Sequence, residues 1–459
     1  MIVMKEIPQE IFDDANHGVL DSEPLRTAVE QALEEAAKCG ASASEVAASL
    51  SGGLSMTVRL GDIETVEHTR DRGLAITVFF GDRSGSASTS DYSITSVKET
   101  VQAACSIAKF TEADSCNGLA DSTRLATEFP DLDLYHPWLF TVDEGKEIGQ
   151  ICEQAALGYD KKIENSEGAT IDSHEGCEVY GNSHGFLGEN RKTRHAVSCS
   201  VIGQYDGGMQ RDYWYSVSRN QEGLQDIVEI GETAAERTVR RLGAKKIKTC
   251  QVPVLFEAPV ASSLLSHFIA AVSGSALYRK ASFLLDYLGK PVFSDFVRIH
   301  EQPYLKRAMG SASFDNEGVA TQARNIVTDG VLNGYVLGSY SARRLGLEST
   351  GNAGGVHNLS IATTDASDLP DMIRSLEKGL LVTELIGFGV NLVTGDYSRG
   401  AAGFWIENGE IQFPVEEVTI AGNLKNMFQS IAVVGSDLDT KQNIRCGSLL
   451  LEGLTVAGQ

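Results

Sequence analysis

The stretch Gly387–Asn423 constrains the fold of this chain more than any other. Its second half reads Phe404-Trp405-Ile406, then Asn408-Gly409, then Ile411-Gln412-Phe413. Asn-Gly between two short apolar runs predicts a β-hairpin with a type I′ turn, because both central residues must take positive φ. Its first half sets Asp396, Tyr397, Ser398 and Arg399 between Gly395, Gly400 and Gly403. Glycine lets backbone approach backbone or ligand closely. The four polar residues can therefore form a site, or Asp396 and Arg399 can brace a tight loop.

At 459 residues the chain exceeds one ordinary core, so two or three domains are expected. In the N-terminal half, Ser22 as N-cap and Pro24 in the first turn open a helix with Leu25, Val29, Leu33 and Ala36 on its apolar stripe, ended by Gly40. Short strands follow over 55–60, 63–69 and 74–80, with a turn at Asp71-Arg72-Gly73, and 81–90 can add an edge strand. A helix over 94–110 carries Val97, Val101, Cys105 and Ala108 on one face. Thr111–Pro137 is polar and irregular, fit to run over the surface or to cover a partner. A helix from Asp143 carries Ile148, Ile151, Cys152 and Ala155, strands resume between 169 and 218, and a helix over 225–242 stops at Gly243. The order helix, strands, helix thus occurs twice. It suits a duplicated module or one large antiparallel sheet with helices on one side.

The polar, basic run Lys245–Thr249 is the expected boundary. Beyond it come a buried strand at 252–256, a helix at 259–272, a hairpin at 323–337 with Asp329-Gly330 at its turn, and a short helix at 368–377 opened by Ser367 and Pro370. Strands are expected at 382–385, 390–393, 418–421 and 431–435. The expected fold is α+β: residues 1–245 as an antiparallel sheet with flanking helices, and 246–459 as a curved or barrel-like β-rich domain.

Charge narrows the partners. The net charge is −23, which repels a phosphate backbone, and the one basic cluster, Arg240-Arg241 with Lys245-Lys246-Lys248, is short. Nucleic-acid binding is not expected. The start Met1–Pro8 lacks a basic segment leading into an apolar run, and no apolar run reaches the ~18 residues of a membrane span. Eight scattered cysteines without a Cys-x-x-Cys pair fit reduced thiols in the cytoplasm.

A catalytic zinc needs three protein ligands and an open position. His174-Glu175 and His300-Glu301 begin like a zinc helix but have no histidine one turn on, and His136, His267 and His357 stand alone. Gly351–Asn358 is a glycine-rich loop bearing Asn352, His357 and Asn358, chemistry able to grip a peptide backbone or to close a tight surface loop. There is no Gly-x-Ser-x-Gly elbow and no P-loop, and Gly387-Phe388-Gly389 does not continue into a dinucleotide fingerprint.

Five motifs carry a resemblance: Phe256–Ala261, Ser273–Leu284, Ser339–Gly346, Thr394–Trp405 and Val456–Gln459. Together they resemble the PmbA/TldE family, once called modulators of DNA gyrase. The resemblance implies a cytoplasmic heterodimeric zinc peptidase that pairs this chain with a TldD-type subunit. That enzyme degrades or processes short or unfolded peptides, with links to peptide-antibiotic maturation and antitoxin turnover. TldD-type partners carry His-Glu-x-x-x-His and a cysteine ligand near the C-terminus. Here Phe256 and Ala261 stand at the two histidine positions, Glu257 keeps the glutamate, and Cys446 matches the cysteine. Phenylalanine and alanine offer zinc nothing, so this chain is expected to bind no metal and to have no catalytic residue of its own, the zinc belonging to the partner. Glu257 is then a relic or a structural acid. Gly354, His357, Asp396, Tyr397, Arg399 and Asn423 are the candidates for the substrate cleft or the subunit contact. The alternative is an autonomous, non-enzymatic peptide-binding or regulatory protein, and a homodimer is open to the chain without its partner.

Overall fold

The computed structural model describes residues 21–364 and 366–458. Met1–Pro8 and Gln459, on which two of the expectations above rest, lie outside the described residues. The N-terminal half runs α1 (Glu23–Lys38), β1 (Ala43–Arg59), β2 (Asp62–Phe80), β3 (Arg83–Thr89), α2 (Ile94–Phe110), α3 (Val142–Tyr159), β4 (Ile163–Asn182), β5 (Leu187–Tyr205), β6 (Gly208–Ser218) and α4 (Ile227–Arg241). All six strands form one antiparallel sheet in the order β3-β2-β1-β4-β5-β6.

Both readings of the repeated order hold at once. Each unit of three strands brings two helices, and the units join through β1 and β4 at the sheet's centre. The helices share one face. On β1, Val46 and Ala48 pack under α1 and α2, while Met56 and Val58 lie against Gly145 and Gly149 of α3. All four positions are even, and alternate residues of a strand face the same way. Gly231 sets the spacing of α4 on α3, since a Cβ there would meet the Cys152 carbonyl at 2.1 Å.

Several local expectations change. Asp71-Arg72-Gly73 is no turn. β2 runs through it, paired with Ser49–Ser51, and the reversal falls at Leu60-Gly61, both at positive φ. A long neighbouring strand supplies the hydrogen bonds that carry polar residues and a glycine through a ladder. The same effect makes the strands expected between 169 and 218 the long strands β4, β5 and β6. Ser22 caps nothing with its side chain; its Oγ instead accepts from Arg191 Nη2 at 2.7 Å. On α3 the buried face is Gly145, Gly149, Cys152, Glu153 and Ala156, and Ile151 is exposed. Small residues form that face because α4 and the sheet crowd it.

The C-terminal half continues β7 (Cys250–Phe256), α5 (Ala258–Ala271), α6 (Gly274–Tyr278), β8 (Ile299–Glu301), β9 (Arg324–Thr328), β10 (Val331–Leu332), α7 (Ser339–Leu345), β11 (Leu359–Ile361), α8 (Leu369–Arg374), β12 (Lys378–Ile386), β13 (Asp396–Glu407), β14 (Glu410–Asn423), α9 (Leu424–Gln429), β15 (Ile431–Val434), β16 (Ile444–Arg445) and β17 (Leu449–Ala457). β14, β13, β12, β7 and β17 pair in that order, and β17 pairs back to β14 through Thr419–Ala421, closing a five-stranded barrel. Closure removes the free edges of the sheet. β15 extends β17, and β10-β9-β8-β11-β16 form a second, small sheet.

Alternation along the barrel strands separates two apolar regions. Val252, Val254, Phe256, Val382, Tyr397, Ala401 and Trp405 share the main core with α5 and the small sheet. Leu255, Leu381, Phe404, Ile406 and Leu450 face α8. The hairpin turn at Asn408-Gly409 has the required φ of 54° and 76°. Val390–Val393 is not a strand but part of the β12–β13 connection, joined to β13 by a bridge from Val390 to Tyr397 and by the Asn391 N–H donating to the Asp396 carbonyl at 2.9 Å. α8 is shorter than expected and is capped by Asp368 in a capping box with Asp371, not by Ser367.

Thr111–Pro137 has a definite task. Arg343 of α7 donates to the carbonyls of Cys116 (2.7 Å), Leu119 (2.9 Å) and Gly118 (2.6 Å), and Tyr340 donates to Asp114 at 2.8 Å. The segment therefore straps the N-terminal half to the chain's own C-terminal half.

Candidate functional site

Phe256, Glu257, Ala261 and Cys446 converge where β7 turns into α5. Phe256 ends β7, paired with Leu449 and Val382, and Ala261 lies on the buried face of α5. Phe256, Ala261 and Cys446 are each fully buried and belong to the same apolar core. The Cys446 thiol donates to the Gly447 carbonyl at 3.0 Å, and burial, aided by the charges of Asp437 and Asp439, pushes its pKa well above the usual thiol range. A thiol held protonated is a poor metal ligand.

Glu257 is bound elsewhere. Arg237 of α4 donates from Nη1 to both carboxylate oxygens, at 3.0 and 3.1 Å, and its Nε stands 3.5 Å from Asp212 of β6. Burial works against the Arg237 charge, but Glu257 and Asp212 outweigh it and hold its pKa above the usual value. Arg241 extends the network from Asp212 (3.3 Å) to Glu384 of β12 (2.5 Å). Glu257 is thus the C-terminal half's anchor in an ion network joining the two halves. At the α5 N-terminus the Ala258 N–H donates to Ser448 Oγ at 3.1 Å, and Ser448 Oγ donates to Asp437 at 2.6 Å. This donor set, one buried thiol and one carboxylate engaged by a guanidinium, does not fit a three-ligand zinc site. Among the described residues, no group of three or more His, Cys, Asp or Glu is placed to hold a metal.

The glycine-rich loop closes on itself. Glu301, 1% exposed, accepts from Arg324 Nε (3.0 Å), Asn352 Nδ2 (2.7 Å) and the His357 N–H (2.6 Å). The His357 ring lies between the carbonyls of Gly310 (3.3 Å) and Gly351 (3.2 Å). Gly354 is exposed at φ 106°, with the Asn316 side chain 2.7 Å from where a Cβ would stand. His357 therefore shapes its own loop and is half-buried, while Gly354 is exposed.

The other candidates gather at the start of β13. Asp396 accepts from Thr394 Oγ1 at 2.6 Å and from Asn423 Nδ2 at 3.2 Å, and these two contacts, in that order, hold its pKa below the ordinary carboxylate value. Asn423 also donates to the Thr394 carbonyl (3.0 Å) and caps α9 through the Lys425 N–H (3.1 Å). Asp396 thus braces with Asn423, not with Arg399. Tyr397 and Arg399 instead point with Ala401 toward the main core, where His267 of α5 meets them. The His267 and Tyr397 rings stand edge to face at 6.1 Å. Burial pushes the Tyr397 phenol up to about 12 against the pull of Arg399, and burial, then the Arg399 charge, lowers His267. Sequence reasoning missed His267 as a neighbour of Arg399, and Arg237 as the partner of Glu257. Neither pair has a spacing signal, because each joins different elements of the fold.

Comparisons with known proteins agree with this architecture over nearly the whole chain. Residues 45–108 match the PmbA/TldA metallopeptidase domain 1, residues 135–242 its central domain and residues 249–458 its C-terminal domain. The chain is 49% identical over 434 residues to a metalloprotease PmbA homolog of Haemophilus influenzae, covering 95% of this chain and 96% of the relative. Among solved structures it resembles one described as a modulator of DNA gyrase from Bacteroides thetaiotaomicron, with TM-score 0.90, 31% identity and coverage of 95% of this chain and 99% of that one. TldE from Thermococcus kodakarensis has the same fold, with TM-score 0.80 and 22% identity over 94% of this chain and all of its own.

Proposed function

The chain belongs to the PmbA/TldA metallopeptidase family, and from that premise we propose that it is the zinc-less subunit of a TldD/TldE-type heterodimeric metalloprotease in the cytoplasm. The observation that carries the reading is the filling of the metal positions. Phe256 and Ala261, which by the resemblance stand where the partner type has its two histidines, are fully buried, and Cys446 is sealed in the same core. When bound by a TldD-type partner, zinc supplies a water acidic enough to attack a peptide carbonyl. This chain contributes the wall of the chamber and surface for an extended, short or unfolded peptide. The net charge of −23 weighs against direct action on DNA.

The test is hydrolysis of an unfolded peptide by this chain alone, by a TldD-type partner alone and by the mixture, with zinc measured in each. The reading expects cleavage by the mixture only, with zinc following the partner. Stoichiometric zinc and cleavage in this chain alone would overturn it. A stable homodimer with no effect on the partner's rate would favour an autonomous binding protein instead.

A further inference from the structure

Three buried polar atoms without a hydrogen-bond partner lie together at one end of the barrel: Tyr397 Oη, Arg399 Nε and His267 Nε2. Burying such atoms unpaired is unfavourable, and more so when the group is charged. Tyr397 is 1% exposed, so bulk water does not satisfy its hydroxyl. Arg399 donates from Nη2 to the Leu385 carbonyl at 3.3 Å and its charge acts on the neighbouring Tyr397 phenol, but it forms no ion pair with a carboxylate among the described residues. In a chain of net charge −23, a half-buried guanidinium left without an acid marks a place where the counter-charge comes from outside.

The rim has its own character. The β12–β13 connection, 387–395, passes beside Arg399, because Gly389 approaches the Ser398 carbonyl so closely that a Cβ would stand 1.8 Å from it. Ile386, Phe388 and Val393 are 54%, 101% and 56% exposed around it. Donors below and apolar side chains above suit an oxyanion attached to an apolar group.

We propose that Arg399, Tyr397 and His267 form a receptor for the terminal carboxylate of a short peptide ending in an apolar residue. The inference rests on the peptide-handling reading above and gives that reading a direction: the C-terminal end of the peptide lies on this subunit. Arg399 takes the carboxylate through its free N–H groups, the geometry that guanidinium and carboxylate share. The Tyr397 hydroxyl and the neutral His267 ring supply further donors, and Phe388 covers the terminal side chain.

The test uses the intact chain alone, without partner or zinc. Calorimetric titration compares N-acetyl-leucyl-phenylalanine with its C-terminal amide, and both with acetate and inorganic phosphate. The acid is expected to bind at least tenfold more tightly than the amide and than either small anion. Arg399→Met should bring the acid down to the level of the amide, and Tyr397→Phe should weaken it several-fold while keeping the packing. Because the phenylalanine variant removes a single oxygen, it keeps the test alive if Arg399→Met does not fold. Equal binding of acid and amide, no binding of the acid at millimolar concentration, or an undiminished acid affinity in both variants would overturn the proposal. Acetate or phosphate binding as tightly as the peptide acid would also overturn it, as a small-anion site. Hydrolysis by the mixed subunits is read separately, so the peptidase reading and this one can fail independently.

Discussion

Replacing Glu257 by glutamine separates a structural acid from a catalytic one. By the resemblance to TldD-type subunits Glu257 would stand at the position of a metallopeptidase glutamate, and a general-base role there would cost about 10²–10⁴-fold in rate on removal. In the structure its carboxylate faces Arg237, and the side chains are 13% and 14% exposed. Glu257→Gln keeps one acceptor oxygen for Arg237 and removes the charge, while Asp212 still stands 3.5 Å from Arg237 Nε. Hydrogen bonds to charged groups contribute about 1.5–3 kcal/mol, and a retained neutral acceptor recovers part of that. A loss of ~1–2 kcal/mol is expected. For a unit of ~200 residues this lowers the melting temperature by roughly 2–8 °C. Differential scanning calorimetry on the isolated chain reads the shift. Peptide hydrolysis by the variant mixed with a TldD-type partner, well below the transition, should match wild type. A loss of rate beyond about a hundredfold in a folded variant would refute the structural assignment.

Phe256→Ala should cost about 3–5 kcal/mol, because the ring is fully buried in the main core and its removal leaves a cavity; a urea midpoint close to wild type would mean the site collapses freely. Arg343→Met removes three donors to the backbone of 116–119, so limited proteolysis should open the strap between 111 and 137 well before the rest of the chain, whereas wild-type resistance there would show that other contacts hold it. Asp315 is buried, and that burial, helped by the charge of Glu317 and opposed by the N–H groups of Ala353, Glu317 and Val319, pushes its pKa to about 7. A carboxyl raised on folding gives stability that is fully present below about pH 4 and lost as pH rises through about 7. Thermal melts should therefore fall across that window, and Asp315→Asn should flatten the fall while lowering stability throughout, since its amide nitrogen opposes a backbone donor; an unchanged slope would contradict the assignment.

The sequence by itself determined what short-range physics decides. Asn408-Gly409 and Asp329-Gly330 had to turn, because those residues tolerate positive φ. The periodicity of Val97, Val101, Cys105 and Ala108 set the buried face of α2. It also determined that Phe256 and Ala261 cannot ligate zinc, since that depends on their atoms alone. Tertiary structure decided the rest. Asp71-Arg72-Gly73 reads as a turn until a long partner strand takes its hydrogen bonds. Gly145 and Gly149 look like poor core residues until Met56, Val58 and Phe140 press against them. Asp396 and Arg399 are three residues apart, yet β13 sends one to Asn423 at the surface and the other toward His267 in the interior. Arg237 meets Glu257 only because α4 lies across the junction of the two halves. Turns and helical faces depend on neighbours within a few residues, which the sequence lists in order. Ion pairs, unpaired donors and closed barrels depend on which distant segments are brought together, and that is fixed by the packing of the whole chain.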